Sequence, residues 1–187
     1  MFSMFIYSAV AALFIVVGAA NMEAQAANPS VVSAETAARD GVSISSIVQA
    51  VYDVISGPAG QKREWDRFRS LFYPDARLIG TGPVGKTGVY GGRSGSPEDY
   101  IKRNEPYFQQ HSFFEREKAR RVEIFGHIAQ VFSTYESYDS SGAKTPFERG
   151  INSIQLLNDG KRWWVLSIVW EGESSGIEVP KKYLRSR

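Results

Sequence analysis

Residues 149–170 read RGINSIQLLNDGKRWWVLSIVW, and they give the strongest local structural signal in the chain. Two runs rich in β-branched and aromatic residues flank Asn158-Asp159-Gly160, and an Asp-Gly pair between such runs is a strong hairpin signal. From Trp163 to Trp170 both faces are apolar, as in a strand that is covered on both sides. The stretch therefore predicts an antiparallel hairpin near the centre of a sheet.

The chain before this hairpin continues the same pattern. Gly126-His127 and Ser140-Ser141-Gly142 supply turn residues between segments of high β-propensity. Strands are predicted at 111–125, 128–138, 147–157 and 161–171. Four strands joined by short turns make an antiparallel meander.

Three helices are predicted ahead of the meander. Apolar residues recur at helical spacing over 44–56 and over 62–72. Ser96 starts a third helix as its N-cap, because a proline and two acidic residues follow it, and Pro106 is expected to kink or end this helix. Helices followed by a meander indicate an α+β fold. The chain between the second and third helices is predicted as a short strand at 76–79 and a glycine-rich stretch up to Gly95.

The first 26 residues have the features of a secretory signal peptide. Residues 4–20 carry no charge, and Ala24-Gln25-Ala26 matches the small-x-small pattern that signal peptidase cleaves. Cleavage is expected before Ala27, with export to the periplasm or the medium and no membrane attachment afterwards. The alternative is an uncleaved anchor, but 17 helical residues span only about 25 Å of a hydrocarbon core about 30 Å thick.

Composition limits the exported part to one domain. The sequence divides into a flexible lead-in at 27–43, a domain at 44–173 and a basic C-terminal tail at 174–187. The net charge of +2 becomes +3 when Glu23 is removed, too mild for a nucleic-acid binder. The chain has no cysteine, so the core must stabilise the fold without disulfides.

One motif imitates a nucleotide site. Gly80 to Thr87 satisfies G-x-x-x-x-G-K-[ST], but a phosphate loop needs a helix that begins at the Lys-Thr pair. Gly88-Val-Tyr-Gly-Gly follows here, and such a sequence does not start a helix. The segment is predicted to be a glycine-rich loop between two strands, without nucleotide binding.

The other chemical motifs are weak. His111, Phe113, Glu115 and Glu117 share one strand face if they alternate, which allows a His/Glu metal pair, but no third ligand is evident. No serine lies in a nucleophile elbow and no cysteine is present. Neither a metal nor another cofactor is predicted.

Three stretches together resemble a known superfamily. They are EWDRFRSLFYPDARLI at 64–79, SPEDYIKR from Ser96 and the hairpin at 149–170. They resemble the NTF2-like superfamily, in particular its uncharacterised bacterial branch near SnoaL-like and DUF4440-type domains, over residues 44–173. The resemblance implies a cone in which a curved antiparallel sheet encloses three helices. It also implies a pocket at the open end and a homodimer formed through the outer sheet surface.

The ketosteroid isomerases of this superfamily provide a test for catalysis. Their tyrosine donor and pocket tryptophan correspond to Tyr52 and Trp170. Their two catalytic carboxyl positions correspond to Gly80 and Arg149, and neither residue is a carboxylic acid. A dienolate mechanism needs both carboxyls, so that activity is not expected.

The resemblance also places a pocket. In this resemblance, alternation is expected to turn Arg149, Ser153, Trp164, Ile168 and Trp170 inward. A guanidinium and a tyrosyl hydroxyl in an aromatic pocket suit a planar anion on an apolar body. The candidate ligand-binding residues are Tyr52, Trp65, Glu123, Arg149, Trp164 and Trp170.

Three functional hypotheses stay open at this stage. The first is binding of a small apolar or anionic molecule. The second is a lyase or isomerase that uses Glu123 and Tyr52 and holds one carboxylate of raised pKa. The third is an association module with a filled pocket, in which Arg149 pairs internally with Glu123 or Glu115.

Overall fold

The computed structural model describes residues 33–86, 88–173 and 177–186. The predicted signal peptide therefore lies outside the described residues. The helices are α1 (Ala34–Gly41), α2 (Ile44–Ile55), α3 (Trp65–Ser70) and α4 (Pro97–Gln110), with a short 3-10 helix at Lys181–Tyr183. The strands are β1 (Phe72–Pro83), β2 (Tyr90–Gly95), β3 (Phe114–Phe125), β4 (Ile128–Tyr138), β5 (Glu148–Asn158) and β6 (Trp163–Gly172).

These six strands form one curved sheet in the order β2-β1-β6-β5-β4-β3. The predicted hairpin is confirmed, because β5 and β6 pair antiparallel with Ile154 opposite Ile168. The predicted purely antiparallel sheet needs one correction, since β1 pairs with β6 in parallel. Strand β1 precedes the β3–β6 meander in the chain, and it pairs with β6, the last strand of that meander. The predicted α+β cone, with helices packed against one curved sheet, is therefore confirmed.

The helices begin and end where capping chemistry indicates. Ser43 caps α2 and Ser96 caps α4, each in a reciprocal capping box with the residue three positions later. Helix α4 continues past Pro106 to Gln110 instead of ending there. Phe108, 2% exposed, anchors its last turn in the core, which offsets the hydrogen bond that proline removes.

The predicted flexible lead-in differs from the structure. Residues 34–41 form α1, capped by the side chain of Ser33. The buried carboxylate of Asp40 accepts two hydrogen bonds from the guanidinium of Arg67 on α3, at 2.7 and 3.0 Å. A bidentate pair of this kind ties α1 to the domain.

The glycine-rich stretch is a β-hairpin. The predicted helix at 62–72 is shorter, because Phe72 already opens β1, and the predicted strand at 76–79 is the middle of that longer strand. Gly80 to Pro83 belong to β1, and residues 90–95 return as β2. The described part of the Gly80–Thr87 match therefore has strand and turn geometry, without the helix start of a phosphate loop; Thr87 is outside the described residues.

Two β-bulges change which side chains face the helices. One shifts the register of β3 between Glu117 and Ala119, and the other shifts β6 against β5 beside Gln155 and Leu156. Each bulge adds a residue, so the side-chain alternation reverses beyond it. We call the face that packs on the helices the inner face and the opposite one the outer face.

The C-terminal segment 177–186, which we call the C-terminal strap, lies on the outer face. The ring of Tyr183 packs on Phe132 at 5.0 Å between centroids, and Thr134 Oγ1 donates to the carbonyl of Tyr183 at 2.6 Å. The predicted tail is therefore docked over its described part. Among the described helices, none combines the length and hydropathy that a membrane span requires.

Candidate functional site

A cavity of about 140 Å³ lies between the helices and the inner face of the sheet. Helices α2, α3 and α4 supply one wall, and strands β1 and β3 to β6 supply the other. Its lining consists of Val51, Ile55, Phe68, Leu78, Tyr100, Asn104, Glu115, Tyr135, Glu148, Asn152, Ile168 and Trp170. The walls are mostly apolar and aromatic, with a few polar groups that converge, as in small-molecule sites.

Glu115 is the main polar feature of this inner cavity. It points inward from β3, where Ser137 Oγ donates to Oε2 at 3.1 Å and Asn152 Nδ2 donates to Oε1 at 3.4 Å. Desolvation raises the pKa of Glu115 to about 7, although the two hydrogen bonds lower it. Among the described residues that line the cavity there is no lysine or arginine to hold this carboxyl ionised.

Tyr52 supports the site from behind. Its hydroxyl is 2.7 Å from Ser133 Oγ and accepts from Asn152 Nδ2 at 3.2 Å. Because the Ser133 hydroxyl donates to Glu117 at 2.6 Å, the proton of Tyr52 points toward Ser133. Burial and then the charge of Glu115 raise the pKa of Tyr52. Tyr52 therefore orients Asn152, which contacts Glu115, and is not itself part of the cavity wall.

Aromatic rings form the other side of the cavity. Tyr100 stacks on Phe68 at 5.3 Å and meets Trp170 edge-on at 6.4 Å between centroids. A Cβ atom at Gly80 would lie 2.8 Å from Cζ2 of Trp170, so the indole needs a glycine on the neighbouring strand. The position that matches the isomerase base is therefore filled by the tryptophan ring.

Two of the six predicted ligand-binding residues lie in or next to this cavity. Trp170 lines it, and Tyr52 supports its wall. Trp65 is a core residue instead; it is 7% exposed, stacks on Phe108, and its Nε1 donates to Glu105 at 3.1 Å. The remaining three are on the outer face.

The predicted inward orientation of Arg149 is wrong. Its guanidinium pairs with Glu136 at 3.0 Å and with Glu173 at 3.8 Å, and Ser153 lies on the same outer face. The inner positions of β5 are the even-numbered ones, because Ile154 and Leu156 fill the core. An ion pair does hold Arg149, but with Glu136 and Glu173 instead of Glu123 or Glu115.

The predicted orientations of Trp164 and Glu123 are also wrong, and the bulges explain both. Trp164 shares the parity of Ile168, but the extra residue on β6 leaves Trp164 outside, where Nε1 donates to Asp159 at 2.8 Å. Glu123 pairs with Gln130 on the outer face beyond the bulge of β3. Without Arg149, the basis for a planar anion in the pocket is lost.

The sequence alone suggests only a metal-ligand or an ion-pair role for Glu115. The His/Glu pair that strand alternation would allow is not formed, since His111 caps the end of α4 and stacks on Tyr107 instead of joining β3. Within residues 33–86, 88–173 and 177–186 no group of three His, Cys, Asp or Glu side chains could hold a metal. Strand alternation in the sequence allows Glu115 to point inward. Its buried polar partners, Ser137 and Asn152, are far from it in sequence, so the sequence does not indicate them.

Comparisons with known proteins give the fold alone. No protein-family model matches the chain, and no curated protein matches it. A protein of unknown function with a cystatin-like fold from Nostoc punctiforme PCC 73102 matches with a TM-score of 0.54 at 10% identity, over 72% of this chain and 91% of the other.

Two further structures are similar at the same level. LinA matches with a TM-score of 0.52 at 11% identity, over 70% of this chain and 84% of the other. The β subunit of a putative aromatic-ring-hydroxylating dioxygenase from Novosphingobium aromaticivorans DSM 12444 matches with a TM-score of 0.52 at 9% identity. The match covers 78% of this chain and 94% of the other. Together with the curved sheet around its helices, these similarities identify the fold of this chain as an NTF2-like cone.

Proposed function

We propose that the inner cavity binds a small neutral molecule, about the size of one six-membered ring, that carries a carbonyl or hydroxyl group. A cavity of about 140 Å³ is close to the roughly 150 Å³ engineered cavity that accommodates benzene. Tyr100, Phe68 and Trp170 supply flat apolar walls for such a ring.

The observation that carries the proposal is Glu115 in the cavity wall. With a pKa of about 7, its carboxyl is about half protonated at neutral pH and can donate a hydrogen bond to a ligand oxygen. Glu148 also lines the cavity, so two carboxyls and no basic side chain among the described lining residues disfavour an anionic ligand. This revises the anion expected from the sequence.

The test uses the pH dependence of binding. Cyclohexanone and phenol serve as probes in calorimetric titrations at pH 6 and pH 8. The protonated fraction of Glu115 falls roughly tenfold over this range, so the affinity should fall by up to roughly tenfold. Glu115→Gln keeps a donor but does not titrate, so its affinity should not change with pH. Glu123→Gln, on the outer face, should behave like the unaltered chain. Equal pH dependence in Glu115→Gln would contradict the proposal.

A second candidate is an acid–base enzyme of the lyase or isomerase class. A group with a pKa near the working pH is suited to transfer protons, and Glu115 meets this condition, in place of the predicted Glu123. Turnover should follow the titration of Glu115 and be lost in Glu115→Gln. A rate that is flat with pH for every active substrate would count against it.

The proposal includes export of the chain, which the uncharged segment 4–20 and the Ala24-Gln25-Ala26 motif support. Binding by residues of one chain does not require a partner. The predicted homodimer stays a prediction, as does the assignment to the SnoaL-like or DUF4440-type branch. An association module with a filled pocket has less support, because the cone holds an open cavity beside a titratable group.

A further inference from the structure

A second, larger cavity lies on the outer face, beneath the C-terminal strap. Its volume is about 440 Å³, and strands β1, β4, β5 and β6 form its floor. The strap contributes the roof with Ile177, Val179, Pro180 and Tyr183. The floor residues are Thr81, Phe132, Ile151, Ser153 and Val169. A volume of this size falls in the range of sites for small organic ligands.

The walls of this outer cavity are apolar, but its charges are all of one sign. Glu171, Glu173 and Glu178 line it, and no lysine or arginine does so in the part of the chain that the structure describes. Glu173 is already engaged, because it accepts from the backbone of Val179 at 3.0 Å and pairs with Arg149 at 3.8 Å. Glu171 and Glu178 are left as the acidic groups of the cavity.

Glu171 gives an independent indication of a missing donor. Its Oε1 atom is buried and has no hydrogen-bond partner among the described residues. A buried carboxylate oxygen without a donor is destabilising, so such atoms usually have a partner. Oε1 itself has almost no accessible surface, but a cationic group on a ligand beside Glu171 would offset the negative charge of this carboxylate.

We propose that the outer cavity binds a small amphiphilic cation, namely an amine with an apolar body. The apolar body would lie between Phe132, Ile151 and the strap residues, and the ammonium group would lie beside Glu171. This site lies on the opposite face of the sheet from the inner cavity, and of the lining residues only Trp170 borders both cavities.

The probe is n-octylamine, with n-octanol and octanoate as neutral and anionic controls of the same length. Titration calorimetry on the purified chain at pH 7, where the amine is protonated, measures each affinity. Octylamine should bind at least roughly tenfold more tightly than octanol, and octanoate should be the weakest. Glu171→Gln should remove most of this preference. Glu123→Gln, a carboxylate on the same face outside the cavity, should leave it unchanged.

A filling substitution locates the binding. Ile151→Trp should abolish octylamine binding, whereas binding of cyclohexanone in the inner cavity should continue. If circular dichroism shows that Ile151→Trp does not fold, Ser153→Phe fills the same space from the same strand. Equal binding of octylamine and octanol would overturn the proposal, as would full octylamine affinity in Glu171→Gln or in a folded filled variant.

Discussion

The inner and outer faces of β4 to β6 each border a cavity, but the two cavities are built from different parts of the chain. The inner cavity is closed by α2, α3 and α4, which supply half of the buried residues of the hydrophobic core. The outer cavity is closed by the C-terminal strap, and none of the residues of the strap is fully buried. Since stability follows burial, the inner site is part of the folding unit, and the outer site is an addition to it.

Two isoleucines on one strand give the sharpest form of this comparison. Ile154 on the inner face has no exposed surface, and Ile151 on the outer face is half-buried beneath the strap. Ile154→Ala should lower the free energy of unfolding by about 3–4 kcal/mol, because it leaves a cavity in the core. Ile151→Ala should cost about 1 kcal/mol. Denaturant titration measures both. Equal losses of unfolding free energy would mean that packing beneath the strap stabilises the domain at Ile151 as much as the core does at Ile154.

The next effect concerns pH and Glu115. The pKa of an unfolded glutamate is about 4.3, and in the folded protein it is raised to about 7 by burial. The folded state therefore binds more protons between these values, so stability falls as pH rises from about 4.3 to about 7. The loss is at most about 3.7 kcal/mol.

Glu115→Gln tests this dependence, because glutamine does not titrate. We expect this variant to lose that part of the pH slope and to be more stable than the unaltered chain at pH 8. Thermal unfolding at several pH values measures the difference, and Glu123→Gln serves as the outer-face control. An unchanged slope in Glu115→Gln would show that Glu115 is ionised at neutral pH.

A smaller effect is expected for Arg149 on the outer face. The side chain of Glu136 is 9% exposed and also accepts from the hydroxyl of Tyr138 at 2.8 Å. Arg149→Met keeps the apolar stem but removes the guanidinium, which leaves Glu136 with less compensation. We expect a loss of about 1–2 kcal/mol in unfolding free energy, with ligand affinity in the inner cavity unchanged. A loss of inner ligand binding without unfolding would contradict the outward orientation of Arg149.

The smallest effect is expected at Glu123. It lies on the outer face of β3 and no ion pair of its side chain occurs among the described residues. Glu123→Gln should change stability by less than about 0.5 kcal/mol. Titration calorimetry should show both cavities unaffected. A change in the affinity of the inner cavity for its ligand would show that Glu123 faces inward. In that case β3 would not have the bulge between Glu117 and Ala119.

The sequence predicted most of the elements correctly, and the errors have physical causes. The segment 128–138 coincides with β4, and the Ser96 cap starts α4 as expected. Helix α1 was missed because its residues are small and polar, and the tertiary pair between Asp40 and Arg67 stabilises it. The candidate site was predicted less well, since Trp170 is the only one of the six predicted ligand-binding residues that lines the inner cavity.

The α+β class, the central hairpin and the helix caps can all be predicted from the amino-acid sequence. These depend on local turn chemistry and on the spacing of apolar residues. Both signals involve residues that are only a few positions apart in the sequence. The side of the sheet on which Arg149, Trp164 and Glu123 lie is set by the pairing of strands in the folded domain. A bulge is a one-residue shift between strands that reverses every side chain beyond it, and it depends on the partner strand instead of the local sequence. Both the half-buried Glu115 in the wall of the inner cavity and the cavity beneath the strap arise from contacts between segments far apart in the chain.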